Sequence, residues 1–353
     1  GFHIIDVTDP SNTTVTAWYN DPYTQVLDIK YLQYNGREYV ICQNQIVDSG
    51  QSDPNVGDWD DPAQVSVNLV DVTDKTDPQW IDSWYDTDHP SGPHNLYTYM
   101  IKDEWYIFVA NPDYEDCDIG TGDACGGITI AHLNFAAYGD LPRIFKVGEA
   151  EVSWETTRGG WIYIHDMTVQ KWPGTDTNDP RFGRTFIYGA YWEAGLRIFD
   201  VSDVPHPDDP DYIAYATACY THTVVTCNWR APEVGYWMDF ADLNGDDEPD
   251  SSTASNSSSV NGGRASYIHY AEPYPVMVDA SHLGMGDDPV HLTFIATEVL
   301  ETTNGTGLSY LLDTTDYSIN GNSFTFQPKL LSAWENPFGA DHHIPGGEEW
   351  LLF

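Results

Sequence analysis

Positive charge is what this chain has least of. Lys and Arg together number 14 against 55 Asp and Glu, a formal net charge of −41. No basic stripe exists to meet phosphates, which excludes nucleic acid as a partner. No run reaches the ~18 apolar residues that a spanning helix needs, so the chain is expected not to cross a membrane as a helix. A signal peptide is lacking too, and the chain opens at Gly1 in what reads as mid-repeat; the expectation is a mature or trimmed product. Cysteines are few: Cys42, Cys117, Cys125, Cys219 and Cys227. None stands in C-x-x-C spacing, which argues against zinc or iron–sulfur centres. G-x-S-x-G, Walker, dinucleotide-binding and H-E-x-x-H motifs are all absent.

Aromatic residues are abundant: 13 Trp, 23 Tyr and 13 Phe, with 29 Gly and 22 Pro. Bulky aromatics favour strands, and Gly and Pro supply the tight turns that reverse them, so the expected class is all-β. The acidic surface would repel itself at ordinary ionic strength. At molar salt the Debye length falls to about 3 Å, so the charge fits a protein working in brine. The alternative is an acidic extracellular protein neutralised by divalent cations. Cys117/Cys125 and Cys219/Cys227 each lie eight positions apart, and two local bridges are the natural reading, although sequence does not fix connectivity. Sequons at Asn12, Asn256 and Asn304 are compatible with an exported glycoprotein.

Internal repetition sets the expected architecture. FHIIDVTDPSN (2–12), VNLVDVTDKTDP (67–78), LRIFDVSDVPHP (196–207) and SYLLDTTDYS (309–318) share an alternating strand that runs into Asp, a small residue, Thr or Ser, and a second Asp. Short polar side chains there can bond back to the backbone in a turn. Two strand-like runs precede each signature, and an aromatic-bearing run such as TVTAWY, PQWIDSWY, PDYIAYA or KLLSAW follows it. Four strands per unit predict a β-propeller. Its third and fourth strands of blade 5 fall at 1–22, blade 1 at 23–88, blade 2 at 89–158 and blade 3 at 159–230. A loop insertion follows at 231–264, then blade 4 at 265–338 and the first strands of blade 5 at 339–353. Pairing of the two termini would close five blades and remove a sheet edge, the alternative being a piece of a longer propeller.

The VNLVDVTD unit and YWEAGLRIFDVSD resemble LVIVD-repeat propellers, with ITIAHLNF in the second blade departing from the signature. That resemblance implies a secreted or cell-surface location and no single activity.

Two constellations could carry chemistry. In ADLNGDDEPD, Asp242, Asn244, Asp246 and Asp250 stand at positions 1, 3, 5 and 9 of a tight loop, with Glu248 at position 7. Hard oxygen ligands so spaced suit Ca²⁺, and the run resembles FG-GAP/VCBS-type calcium loops. An acidic surface loop is the plainer reading. Asp28, His94, His165, His269 and His343 recur near the starts of the putative inner strands, where they could converge in a central channel and hold a transition metal. Strand-capping histidines are the alternative, with His342 substituting for His343 if the register slips by one. Glu193 and His222 read as loop residues, and Trp59, Trp161, Trp172 and Trp229 as sugar-stacking or core residues.

The functional expectation is a non-catalytic, calcium-stabilised extracellular or cell-surface module adapted to high salt, with a surface protein or glycan as partner. The alternative is a copper or iron oxidoreductase using the histidine cluster, which gains from a similarity to selenium-binding/methanethiol oxidase propellers. A carbohydrate-active hydrolase would need two facing carboxylates, and sequence alone nominates no pair among 55 acids.

Overall fold

The computed structural model describes residues 1–19, 25–45, 66–85, 93–111, 127–152, 164–192, 194–221, 227–237, 268–281, 288–297 and 308–335. The fold is all-β, of propeller type, and its repeating element is the four-stranded antiparallel blade, as expected. The chain divides into two compact units. The first comprises Gly1–Asp113, Ile128–Glu149 and Val204–Trp229; the second comprises Tyr114–Gly127, Ala150–Asp203 and Arg230–Phe353.

In the first unit, β1 (Phe2–Asp6) pairs with β2 (Thr14–Tyr19) in a two-stranded sheet. A four-stranded blade follows, β3 (Gln25–Tyr34), β4 (Arg37–Gln45), β5 (Val67–Asp71) and β6 (Gln79–Trp84), each strand beside its sequence neighbour. The next blade is β7 (Asn95–Ile101), β8 (Glu104–Asn111), β9 (Gly127–Leu133) and β10 (Ile144–Glu151). Leu32, Ile41, Leu69, Leu96, Ile107, Val109 and Leu133 form one core between these blades. Both hairpins turn through paired positive-φ residues, Asn35–Gly36 and Lys102–Asp103. Such turns match the right-handed strand twist, and Asn-Gly is their preferred sequence; Lys-Asp adopts the same geometry at a steric cost.

The second unit holds β11 (Asp166–Lys171), β12 (Thr185–Tyr191), β13 (Gly195–Asp200) and β14 (Glu233–Trp237) as one blade. The other is β15 (Ile268–Pro273), β16 (Leu292–Thr297), β17 (Leu308–Asp313) and β20 (Lys329–Glu335), with the hairpin β18 (Tyr317–Asn320)–β19 (Ser323–Phe326) between its last two strands. Its core includes Trp172, Phe186, Ile198, Ile295, Leu312 and Phe326, so Trp172 is a packing residue. The buried Arg181 guanidinium lies 3.8 Å from the Trp172 ring and 4.4 Å from that of Tyr317, with Asp179 as its ion-pair partner at 2.8 Å.

The repeated signature has a direct structural meaning. Its first Asp ends the third strand and accepts a backbone N–H two residues on: Thr8 on Asp6, Thr73 on Asp71, Ser202 on Asp200 and Thr315 on Asp313. The second Asp repeats the device for Ser11 on Asp9 and Thr76 on Asp74. Asp71 and Asp200 also pair with Arg37 and Arg184, which stand at or just before the second strand of their blades. Here the motif is turn chemistry, as its residue types suggest.

One expected strand is absent. PDYIAYA has the pattern of a fourth strand, but α1 (Tyr212–Tyr220) is a helix, and β14 supplies that strand from within the expected insertion. Tyr212, Ala216 and Cys219 are its buried residues, a spacing of one helical face that alternation had masked. The segment is tied down locally. Cys219 and Cys227 form a disulfide with Cα atoms 4.5 Å apart. Tyr215 Oη donates to Val147 O at 2.8 Å, and Glu149 N–H donates to Trp229 O at 3.2 Å, covering the outer edge of β10. Cys42 is a buried thiol, and Cys117 and Cys125 lie outside the described residues. Among the described residues no helix is long and apolar enough to cross a membrane.

Candidate functional site

A polar arrangement of the second unit lies on β11 and β15, the first strands of its two blades. Along β11, Met167 and Val169 point into buried surroundings, so alternation sends Asp166, Thr168 and Gln170 to the other face. Tyr270 and Glu272 share a face of β15 for the same reason, with Ala271 buried between them. Tyr270 Oη donates to Glu272 Oε2, and Thr168 Oγ1 donates to the same oxygen across the strands at 3.2 Å. Gln170 Nε2 donates to Tyr274 O at 3.0 Å. Burial, the Glu272 hydrogen bond and the negative charges of Glu272 and Asp166 all hold the Tyr270 hydroxyl above the usual phenol range. Tyr270 is therefore a neutral donor near neutral pH.

Local backbone features re-aim the side chains at the start of these strands. The register of β15 slips between Ile268, opposite Thr297, and Tyr270, opposite Ala296, so His269 occupies a bulge. Its ring meets that of His165 with centroids 3.7 Å apart. Trp192 lies at φ 22°, a left-handed conformation rare for so bulky a residue, and its carbonyl accepts the Ile268 N–H at 3.2 Å. A bulge and a strained residue beside a polar face are features that functional sites accumulate.

The expected channel residues fall as follows. His165 and His269 come together in the second unit. Asp28 and His94 belong to the first unit, and His343 lies outside the described residues. His94 and His165 do occupy equivalent positions: each precedes a first strand and donates its N–H to the second strand, at Ala110 O and Ala190 O, both at 2.9 Å. Burial holds the His94 imidazole down at about 4. Asp28 pairs with Lys30 at 2.6 Å. Among the described residues no group of three or more His, Cys, Asp or Glu is placed to hold a metal. The calcium-loop residues Asp242, Asn244, Asp246, Glu248 and Asp250 lie outside the described residues, as do Glu193, His222, Trp59, Trp161, Asn256 and Asn304. Asn12 is exposed in the turn between β1 and β2.

A second polar cluster, unnoticed in the sequence, is buried in the first unit. Tyr138 Oη donates to Glu104 Oε1 at 2.6 Å, Glu104 Oε2 faces His132 Nε2 at 3.2 Å, and Tyr212 Oη meets His132 Nδ1 at 2.6 Å. Burial keeps His132 below the usual imidazole range despite the neighbouring carboxylate. A neutral ring donating from Nε2 and accepting at Nδ1 satisfies both partners. Tyr212 lies on α1, so this chain of bonds anchors the helix to β8 and β9.

No family model matches the chain, and no curated protein matches it. Solved structures do. One is a putative glycoside hydrolase from Parabacteroides distasonis, at 10% identity over 90% of this chain and 74% of that one, with a TM-score of 0.39. Another is the Penicillium chrysogenum α-L-arabinanase complexed with arabinobiose, at 9% identity over 89% and 68%, with a TM-score of 0.38. A GH43 β-xylosidase/α-arabinofuranosidase from a compost metagenome covers 90% and 93% at 12% identity, with a TM-score of 0.28. These findings correct the assignment to the LVIVD-repeat family, which no family model supports and these structures do not represent. They also correct the reading as a non-catalytic binding module and its oxidoreductase alternative: the proteins of similar structure are hydrolases. At such identities and TM-scores the likeness carries no catalytic residue and no substrate over to this chain.

Proposed function

We propose that the protein is a glycan-hydrolysing enzyme whose working groups lie on the polar face of β11 and β15. The observation that supports this reading is the placement of two acidic side chains, Asp166 and Glu272, on these first strands, with Glu272 hydrogen-bonded by Tyr270 and, across the strands, by Thr168. Glycoside hydrolysis needs two acid groups flanking one bond. One delivers a proton to the departing glycosidic oxygen while the other assists attack at the anomeric carbon. Thr168 and Gln170 add the hydroxyl and amide with which sugars are oriented, and the His165 and His269 rings meet at the starts of the same strands.

The partner in this reading is a glycan substrate, met outside the cell. The Cys219–Cys227 disulfide supports an extracellular or cell-surface location, because such bonds persist in oxidising compartments. Calcium in the Asp242–Asp250 loop belongs to the same proposal; chelation should leave that loop protease-sensitive, and identical cleavage with and without chelator would remove it. The activity is tested by reducing-sugar release from a panel of neutral polysaccharides. Release by the wild-type protein and its loss in Asp166→Asn and Glu272→Gln are expected. A folded wild-type protein inert on the whole panel would overturn the reading.

A further inference from the structure

We infer that Tyr270, and not a carboxylate, is the nucleophile of this site, with Glu272 as its base, acting on neutral sugars. The inference rests on the hydrolase reading above and adds to it the identity of the attacking atom. Three observations carry it. Glu272 Oε2 already accepts two hydrogen bonds, from Tyr270 Oη and from Thr168 Oγ1, so its lone pairs are engaged by donors. The Tyr270 hydroxyl spends its single proton on that oxygen and keeps two lone pairs, of which Thr168, with one proton to share between Tyr270 and Glu272, can engage at most one. A nucleophilic hydroxyl bonded to an adjacent base is the arrangement that activates Ser, Thr and Tyr alike. Finally, Tyr270 and Glu272 stand two residues apart on one strand beyond the bulge at His269, so the rigid sheet fixes their geometry.

The chemistry balances as a double displacement. Tyr270 Oη bonds to the anomeric carbon while its proton passes to Glu272 Oε2. The bond from that carbon to the glycosidic oxygen breaks, and Asp166 passes to the leaving oxygen a proton that it has first taken up from solvent. Water then gives a proton back to Asp166 and its oxygen attacks the anomeric carbon. The bond to Tyr270 breaks, and Tyr270 recovers its proton from Glu272. Two inversions give net retention at the anomeric carbon. The substrate class follows from charge: a chain at −41 repels acidic sugars, so neutral glycans are the ones it can gather.

The test uses the full chain and the 2-deoxy-2-fluoroglycosyl fluoride of whichever neutral sugar the wild-type protein releases. Peptide mass spectrometry locates the trapped sugar, and proton NMR reads the anomer first formed from the ordinary substrate. A label on Tyr270 with retained configuration is expected. Tyr270→Phe should take no label and lose roughly 10²–10⁴-fold in kcat, with an unchanged near-ultraviolet dichroism spectrum confirming its fold. A label on Glu272 or Asp166, or an inverted product, overturns the tyrosine assignment while the hydrolase reading stands. Absence of any hydrolysis by the wild-type protein takes both down.

Discussion

Removing the Tyr212 hydroxyl isolates the value of one buried hydrogen bond. His132 is fully buried and Tyr212 is 2% exposed, with 2.6 Å between Tyr212 Oη and His132 Nδ1. Tyr212→Phe keeps the ring and its edge contact with His132, so no large cavity opens. What is lost is the donor to Nδ1, and the other ring nitrogen is committed to Glu104. A buried acceptor left without a partner costs about 1–3 kcal/mol. Tyr138→Phe is the natural control, because Tyr138 is half-buried and water can replace its bond to Glu104; a loss of about 0.5–1.5 kcal/mol is expected there. Urea unfolding of the three proteins, with hydrogen exchange of the α1 amides as a local readout, compares them. Tyr212→Phe should be the more destabilised and should release α1 first. Equal stability of Tyr212→Phe and wild type, or a larger effect at Tyr138, would refute the assignment of this cluster as the helix anchor.

Other outcomes follow from the same structure. His94 and His291 are held down at about 4 by burial, against about 6.5 when unfolded, so the unfolded chain binds protons that the native one refuses. Stability is therefore complete above about pH 6.5 and falls towards pH 4, by on the order of 3 kcal/mol per histidine; a midpoint independent of pH across that window would contradict it. A Cβ added at Gly148 would collide with the Trp229 ring at Cε3, so Gly148→Ala should displace the segment lying along β10 and cost about 1–3 kcal/mol in urea unfolding. Reducing Cys219–Cys227, which closes a separation of eight residues, should cost about 2.5 kcal/mol in urea unfolding, and an unchanged midpoint would contradict it.

The blades were legible because their signal is local and repeated. Alternation in VNLVD and LRIFD marks third strands, and the Asp that ends them closes its turn through an interaction two residues long. PDYIAYA misled because its aromatic and branched residues suit a strand, while burial of Tyr212, Ala216 and Cys219 was decided by what the segment packs against. The site was harder to see. Asp166, Thr168, Tyr270 and Glu272 are ordinary members of alternating strands, and 104 residues separate Thr168 from the carboxylate it touches. His165 and His269, legible from their recurrence near strand starts, lie at the beginnings of the same two strands. Glu104, His132 and Tyr212 carry no sequence signature at all, because three separate elements must fold before the chain of bonds exists.

The most direct test of the central claim compares kcat/KM on a neutral glycan for wild type, Asp166→Asn, Glu272→Gln and the exposed-turn control Asp9→Asn. The account predicts losses of roughly 10²–10⁴-fold in the first two variants and wild-type activity in the control. Hydrolysis that survives both substitutions at the wild-type rate would contradict the placement of the working groups on β11 and β15.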